Sequence, residues 1–249
     1  MRCVPSCKTP ICAGVDGDTG KPGSLEARLL VVWCAAAKRT NTALQHVGDR
    51  MAIVSRGFSG RRSASDALLP PGQHLTTDFP VLSAGPTQHI PLDRWEFTID
   101  DGSDVLNRWN WESFRELPTE RIAVDLHCVT RWSKLGTSWE GVSLDVLLAG
   151  MASDLPYAMF RSYGDYTTNL PVKDLINKQA WIVFKYDGQD LEAEHGGPAR
   201  LLVPHLYLWK SAKWVKGVTL MAEDKPGFWE SLGYHIYGDP WQEQRYSGA

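Results

Sequence analysis

The stretch Ile122-Ala123-Val124-Asp125-Leu126-His127-Cys128-Val129 decides the reading of this chain. Ile122, Val124, Leu126 and Cys128 alternate with other residues, the period-two pattern of a strand with one buried face. Similar short segments lie on both sides. Trp95 to Ile99 alternates and ends at the turn Asp101-Gly102. Trp181 to Tyr186 is followed by Asp187-Gly188, a hairpin signal. Leu201 to Val203, Leu206 to Trp209 and Trp214 to Met221 read as further strands. Helical spacing is sparse. Trp111, Phe114 and Leu117 give it within Trp109 to Leu117, Leu144 to Leu148 forms a short helix with Ser143 as N-cap, and Lys173 to Asn177 forms another. No repeat and no regular βαβ succession appears, so the fold class is α+β, mixed and strand-rich.

The chain has 249 residues, 43% hydrophobic and 22% charged, which fits a globular core. Its 11 Trp, 8 Tyr and 7 Phe exclude disorder of the whole chain. No apolar run is long enough to span a bilayer, and a net charge of -3 gives no electrostatic support for nucleic-acid binding. These averages hide a break near residue 50. Residues 1–50 hold Cys3, Cys7, Cys12 and Cys34 and a charge of +3; residues 51–249 hold Cys128 alone and a charge of -6. Cys3, Cys7 and Cys12 lack the paired spacing of a zinc knot. Leu29 to Ala37 has the length of an export h-region, but Glu26 precedes it where a basic flank belongs. Arg61-Arg62 is not followed by an apolar run. The composition favours a disordered extension or misassigned start over residues 1–50, with Met51 as the alternative first residue. Residues 51–92, with Pro70, Pro71, Pro80, Pro86 and Pro91, read as an extended arm packing on a core at 93–249.

Two features stand out chemically. Cys128 ends its strand as either a small buried hydrophobe or a thiolate, nucleophile or ligand. His127 cannot pair with it as a base, since strand neighbours point to opposite faces. A lone thiolate suits a soft metal whose other ligands come from a cofactor. The second feature is His195-Gly196-Gly197-Pro198-Ala199-Arg200, continuing to Lys210-Ser211-Ala212-Lys213-Trp214-Val215-Lys216. No Asp or Glu occurs from His195 to Ala222, although Arg200, Lys210, Lys213 and Lys216 do. Cations interleaved with apolar residues, and glycines that allow close backbone approach, suit a phosphate or other dianion as well as a solvated positive face. The segment is neither a Walker loop nor a dinucleotide fingerprint. Near the C-terminus, Tyr234 and His235 either close the core or donate hydrogen bonds in a cleft.

Taken together, DLHCVTRWSKLGTSWEGV, HGGPARLLVP and SAKWV, in this order and at these separations, resemble the molybdopterin-binding domain of the sulfite oxidase family. The likeness is greatest to the short bacterial sulfite oxidase-like oxidoreductases and covers about Phe79 to Tyr246. The resemblance implies one molybdenum-molybdopterin per chain, with Cys128 as the protein's metal ligand. It assigns cofactor binding to Asp78, Phe79, Ser162, His195, Arg200, Ser211, Ala212 and Lys213, and places Tyr234 on the substrate side of the metal. In the family an Arg and a His occupy the N-terminal contact segment; here Thr76 and Asp78 align there. A carboxylate at that point repels an anion, which points away from sulfite and towards a neutral substrate.

The implied reaction is oxygen-atom transfer on a small substrate, an S- or N-oxide or a sulfite-like molecule. The family's C-terminal dimerisation domain and haem domain are not expected, so a separate electron-transfer protein, a flavin or iron–sulfur reductase, is the expected partner. The alternatives are a non-catalytic scaffold of the same fold and a metal-free thiol enzyme using Cys128. A single core cysteine places the chain in the cytoplasm, or in the periplasm or envelope if Leu29 to Ala37 is an export signal.

Overall fold

The computed structural model describes residues 69–151 and 154–248. The expectations for residues 1–50 and 51–68 lie outside the described residues.

Two mixed sheets carry the fold. The first is built around the long strand β5 (Trp132–Ser143). The two-residue β1 (His74–Leu75) pairs with β5 in parallel; β4 (Glu120–His127) and β8 (Trp181–Tyr186) pair with it antiparallel. β9 (Gln189–Asp190) and β10 (Arg200–Leu202) both pair with β8. The second sheet runs β3 (Val105–Asn110), β2 (Glu96–Asp100), β11 (Val215–Met221), β6 (Tyr157–Ser162), β7 (Thr167–Pro171). The short helices α1 (Trp111–Arg115), α2 (Leu144–Leu148) and α3 (Phe228–Ser231) complete it. The strand-rich α+β expectation holds.

Period-two alternation decides the packing. Ile182, Phe184 and Leu201 face the main core with Phe97, Ile99, Phe160 and Val218 of the second sheet. Their neighbours Trp181, Val183 and Leu202 face the opposite way, with Ile122, Leu126, Trp139 and Leu191. The centre of the first sheet is thus buried on both faces. Phe79, from the proline-rich arm, packs into this second cluster, and β1 ties the arm to β5.

Local signals succeed where a side chain serves the backbone. Ser143 caps α2 by accepting from the Asp145 amide at 3.1 Å. Asn110 accepts from the Ser113 amide at 2.9 Å, so α1 starts at Trp111 and Trp109 stays in β3. The helix expected from Trp109 to Leu117 is therefore shorter. β3 itself was not expected, because its residues are exposed or half-buried and show no apolar alternation. Lys173 to Asn177 is not an α-helix; a single 3-10 turn covers Val172–Asp174, and Asn177 and Lys178 take positive φ. Leu206 to Trp209 is not a strand. The Leu206 amide bonds back to Val203 at 3.2 Å, and a 3-10 turn follows at Leu208–Lys210. β5 has no sequence signal of its own, since Lys134, Gly136, Thr137 and Ser138 break the apolar pattern of a strand that three partners hold along its two edges.

Candidate functional site

Cys128 follows the last residue of β4 and opens a tight turn. Its amide donates to Trp132 O at 2.9 Å, and the Arg131 amide closes the turn on Cys128 O at 3.0 Å, with Arg131 at φ 76°. The thiol is free and buried, and Thr130 Oγ1 donates to Sγ at 3.0 Å. Burial pushes the thiol pKa up, against the Thr130 hydrogen bond and the nearby Arg245 charge, which pull it down. His127 turns elsewhere, its Nδ1 lying 2.8 Å from Ser133 Oγ. The strand geometry separates the two as expected.

The second half of the site is the loop before β10. Gly196 takes φ 109°, open to glycine. A Cβ on Gly197 would lie 1.9 Å from Leu191 O, and one on Gly196 would lie 3.0 Å from Lys213 Cβ and 3.1 Å from Arg200 Cβ. The two glycines were expected to admit a ligand. On the side where a Cβ would stand, the loop packs closely against the protein's own chain, at Leu191, Arg200 and Lys213. A cavity of about 650 Å³ shares Gly197 and Pro198 with this loop, together with Trp111, Arg115 and Phe184, but reaches none of Cys128, His195, Arg200 or Lys213.

The tight loop brings three of the expected residues together. Arg200 is 3% exposed. Its Nη1 donates to His195 O at 2.9 Å and its Nη2 to Ser211 O at 2.9 Å. Every hydrogen-bond acceptor on its guanidinium is a carbonyl, and burial lowers its pKa to about 10. Lys213 donates through Nζ to Glu194 O at 2.6 Å. Burial and the Arg200 charge hold Lys213 down to about 7, while Glu194 and Cys128 act the other way. Burial, then Lys213 and Arg200, push the His195 pKa down. Among the described residues neither the buried Arg200 nor the half-buried Lys213 has a carboxylate in hydrogen-bond contact, an arrangement that an added anion favours.

The remaining expected residues fall into place unevenly. Phe79 stacks on the His195 ring, with centroids 4.1 Å apart and planes 9° off parallel. Asp78 is exposed, and its amide bonds to Thr76 Oγ1 at 3.1 Å. Ser211 Oγ accepts from the Val203 amide at 2.9 Å, and Ala212 O accepts from the Leu201 amide at 2.8 Å, so both are used in holding β10. Ser162 pairs with Val215 and is fully buried with no partner for its hydroxyl. Tyr234 is half-buried against Trp229, Trp209 and Tyr246, and burial lifts its pKa to about 12, with Cys128 among the charges it feels. Lys210 departs from the expected anion cluster. It is fully buried against Glu230, with Nζ to Oε1 2.6 Å, and donates to Asn169 O at 2.9 Å and Ile236 O at 2.6 Å. Gln73 and Arg245, which hold the Cys128 turn, carried no sequence signal, lying 55 and 116 residues from the atoms they touch.

A buried lone thiol, a buried guanidinium and a half-buried ammonium, presented by strand ends and loops of two mixed sheets, fit an anionic, metal-bearing organic cofactor. Residues 84–229 match the model of the oxidoreductase molybdopterin binding domain, and the chain belongs to that family of molybdopterin-dependent oxidoreductases. It is 37% identical over 190 residues to the uncharacterized oxidoreductase YuiH of Bacillus subtilis, covering 75% of this chain and 96% of that protein. It is 26% identical over 179 residues to the protein-methionine-sulfoxide reductase catalytic subunit MsrP of Pseudomonas syringae, covering 64% of this chain and about half of that protein, 52%. The sulfane dehydrogenase SoxCD of Paracoccus pantotrophus superposes with a TM-score of 0.49 at 15% identity, over 74% of this chain and 59% of that one, and the family assignment does not rest on it. Among the described residues no helix is long and apolar enough to cross a membrane.

Proposed function

We propose that the chain holds one molybdenum-molybdopterin through Cys128 and carries out oxygen-atom transfer on a small, neutral S- or N-oxide. The observation that supports this most is Arg200: a buried guanidinium bonded to carbonyls alone, beside a second cation, Lys213, fits the phosphate of such a cofactor. When bound, the cofactor supplies the two-electron redox chemistry. The chain's own residues do the rest. Cys128 offers the one soft ligand atom among these residues, kept from water by its burial. His195, held flat by Phe79, lines the organic part, with Ser162, Ser211 and Ala212 beside it. Tyr234, protonated at any ordinary pH because burial lifts its pKa to about 12, is a standing donor to a substrate oxygen.

Reduction of a sulfoxide takes two electrons and two protons and releases the sulfide and water. The electrons come from a separate carrier, a flavin or iron–sulfur reductase. A carboxylate at Asp78, one residue before the ring that stacks on His195, disfavours sulfite, and the similarity to MsrP favours a sulfoxide. The assignment of residues 51–92 as an arm and 93–249 as the core belongs to this reading, as does a cytoplasmic location.

The test is elemental mass spectrometry on protein from a molybdate-supplied host, beside Cys128→Ser, with activity on methionine sulfoxide, trimethylamine N-oxide and sulfite. Near one molybdenum per chain, lost in Cys128→Ser, with reduction of an oxide, is expected. Rapid sulfite oxidation removes the neutral-substrate preference. Folded protein without molybdenum or pterin shifts the reading to a scaffold, or, if iodoacetamide stops a metal-free activity, to a thiol enzyme.

A further inference from the structure

The Cys128 turn is gripped by both ends of the described chain. From the arm, Gln73 Nε2 donates to Cys128 O at 3.0 Å. From the C-terminal segment, Arg245 Nη1 donates to Val129 O at 2.6 Å, and the same guanidinium donates through Nη2 to Pro71 O at 3.2 Å. The two grips interlock. Gly72 takes φ 68°, and a Cβ there would stand 2.7 Å from Glu243 Oε1 and 3.3 Å from Arg245 Nη2. Two consecutive carbonyls, those of Cys128 and Val129, are therefore fixed by side chains from opposite ends of the described residues.

Arg245 is also a buried charge. Its side chain is 6% exposed, and its carboxylate neighbour, Glu243 at 3.5 Å, is 46% exposed and so well solvated. Tyr207 lies beneath the guanidinium, 5.1 Å from its ring centroid. A desolvated guanidinium with one weak, wet counterion keeps most of its field. Cys128, one residue from Val129, feels that charge, which pulls its thiol pKa down against the effect of burial.

We propose that Arg245 is a positioning residue for Cys128: its buried guanidinium fixes the turn that carries the sulfur and sets the charge felt by the metal that this sulfur binds. The proposal rests on the molybdenum reading above. A positive charge beside a thiolate ligand draws electron density from the sulfur, favours the lower oxidation state and raises the potential. Glu243, which partly offsets that charge, acts in the opposite direction.

The test uses the loaded holoenzyme and its Arg245→Gln, Arg245→Lys and Glu243→Gln variants, with circular dichroism and molybdenum content as controls. The readouts are the molybdenum midpoint potential, by titration followed by electron paramagnetic resonance, and the width of that signal. Arg245→Gln is expected to lower the potential and broaden the signal. Arg245→Lys restores the potential but not the single narrow signal, since an ammonium lacks the planar fork. Glu243→Gln moves the potential up by a smaller amount. A purely structural role predicts no such reversal of sign. Arg245→Gln with the parent's potential and signal overturns the proposal. If Arg245→Gln does not fold, Glu243→Gln with an unchanged potential overturns it equally. Protein without molybdenum overturns the cofactor reading and this inference with it; molybdenum present with no shift overturns the inference alone.

Discussion

Lys210 and Arg200 are both buried cations on the same run of sequence, and they are satisfied in opposite ways. Lys210 meets a carboxylate of its own chain: Glu230 Oε1, which also accepts from Thr168 Oγ1 and Trp209 Nε1, each at 3.0 Å. Arg200 meets carbonyls, which orient a guanidinium without neutralising it. The contrast separates two uses of one residue class. A buried cation whose counterion is built in belongs to the fold. A buried cation that meets no carboxylate among the described residues leaves that place to a ligand, which is the role proposed for Arg200.

The comparison is broken most severely at Lys210. Lys210→Met leaves the buried Glu230 carboxyl without its cation, and is expected to lower stability by about 3–5 kcal/mol in urea unfolding of the apoprotein. Adding Glu230→Leu should recover much of that loss, and a double variant as unstable as the single would show that the pair is not the unit. Arg200→Met should do the reverse. Apoprotein stability changes little, while cofactor retention falls by about 1.5–3 kcal/mol, the scale of a charge-assisted hydrogen bond, read as pterin fluorescence lost on desalting. Equal retention would place the phosphate elsewhere.

A third, smaller effect is one of pH. Lys213 without cofactor titrates at about 7. A bound phosphate stays dianionic above about pH 6 and favours the protonated amine. Retention is therefore strongest below pH 7 and weakens as pH rises through 7 towards 9, by about tenfold, for a change of one pKa unit on binding. Lys213→Met should flatten that dependence, and a slope unchanged in the variant assigns it to another group. The smallest effect is at Ser162, whose buried hydroxyl lacks a partner. Ser162→Ala should stabilise the apoprotein by about 1 kcal/mol and weaken cofactor retention slightly. Destabilised apoprotein would mean that the hydroxyl already has a partner.

Much of this arrangement could be read from residues in order. The alternation ending at Cys128, the Ser143 cap and the Asp187-Gly188 turn are local, and local rules found them. The absence of Asp and Glu from His195 to Ala222 exposed the cationic loop before any coordinates did. What escaped was non-local. Which cation would find a carboxylate depended on Glu230, 20 residues beyond Lys210, reaching back across β7. The glycines of the loop pointed to close approach, and on the Cβ side of Gly197 the body approached is the carbonyl of Leu191, which no local rule reads. β3 and β5 hid because one is exposed and the other takes its stability from neighbours on several sides instead of from its own pattern.

The hydrogen bond from Arg245 to Pro71 joins residues 174 positions apart. Such a contact carries a large loop-closure entropy and forms after the hairpins that shorten the distance between its ends. We expect the sheets to form first and the Cys128 turn to lock last. Truncation after residue 240 should leave two folded sheets and a Cys128 turn that has lost the Arg245 grip and keeps that of Gln73, read as faster hydrogen exchange at the Arg131 amide.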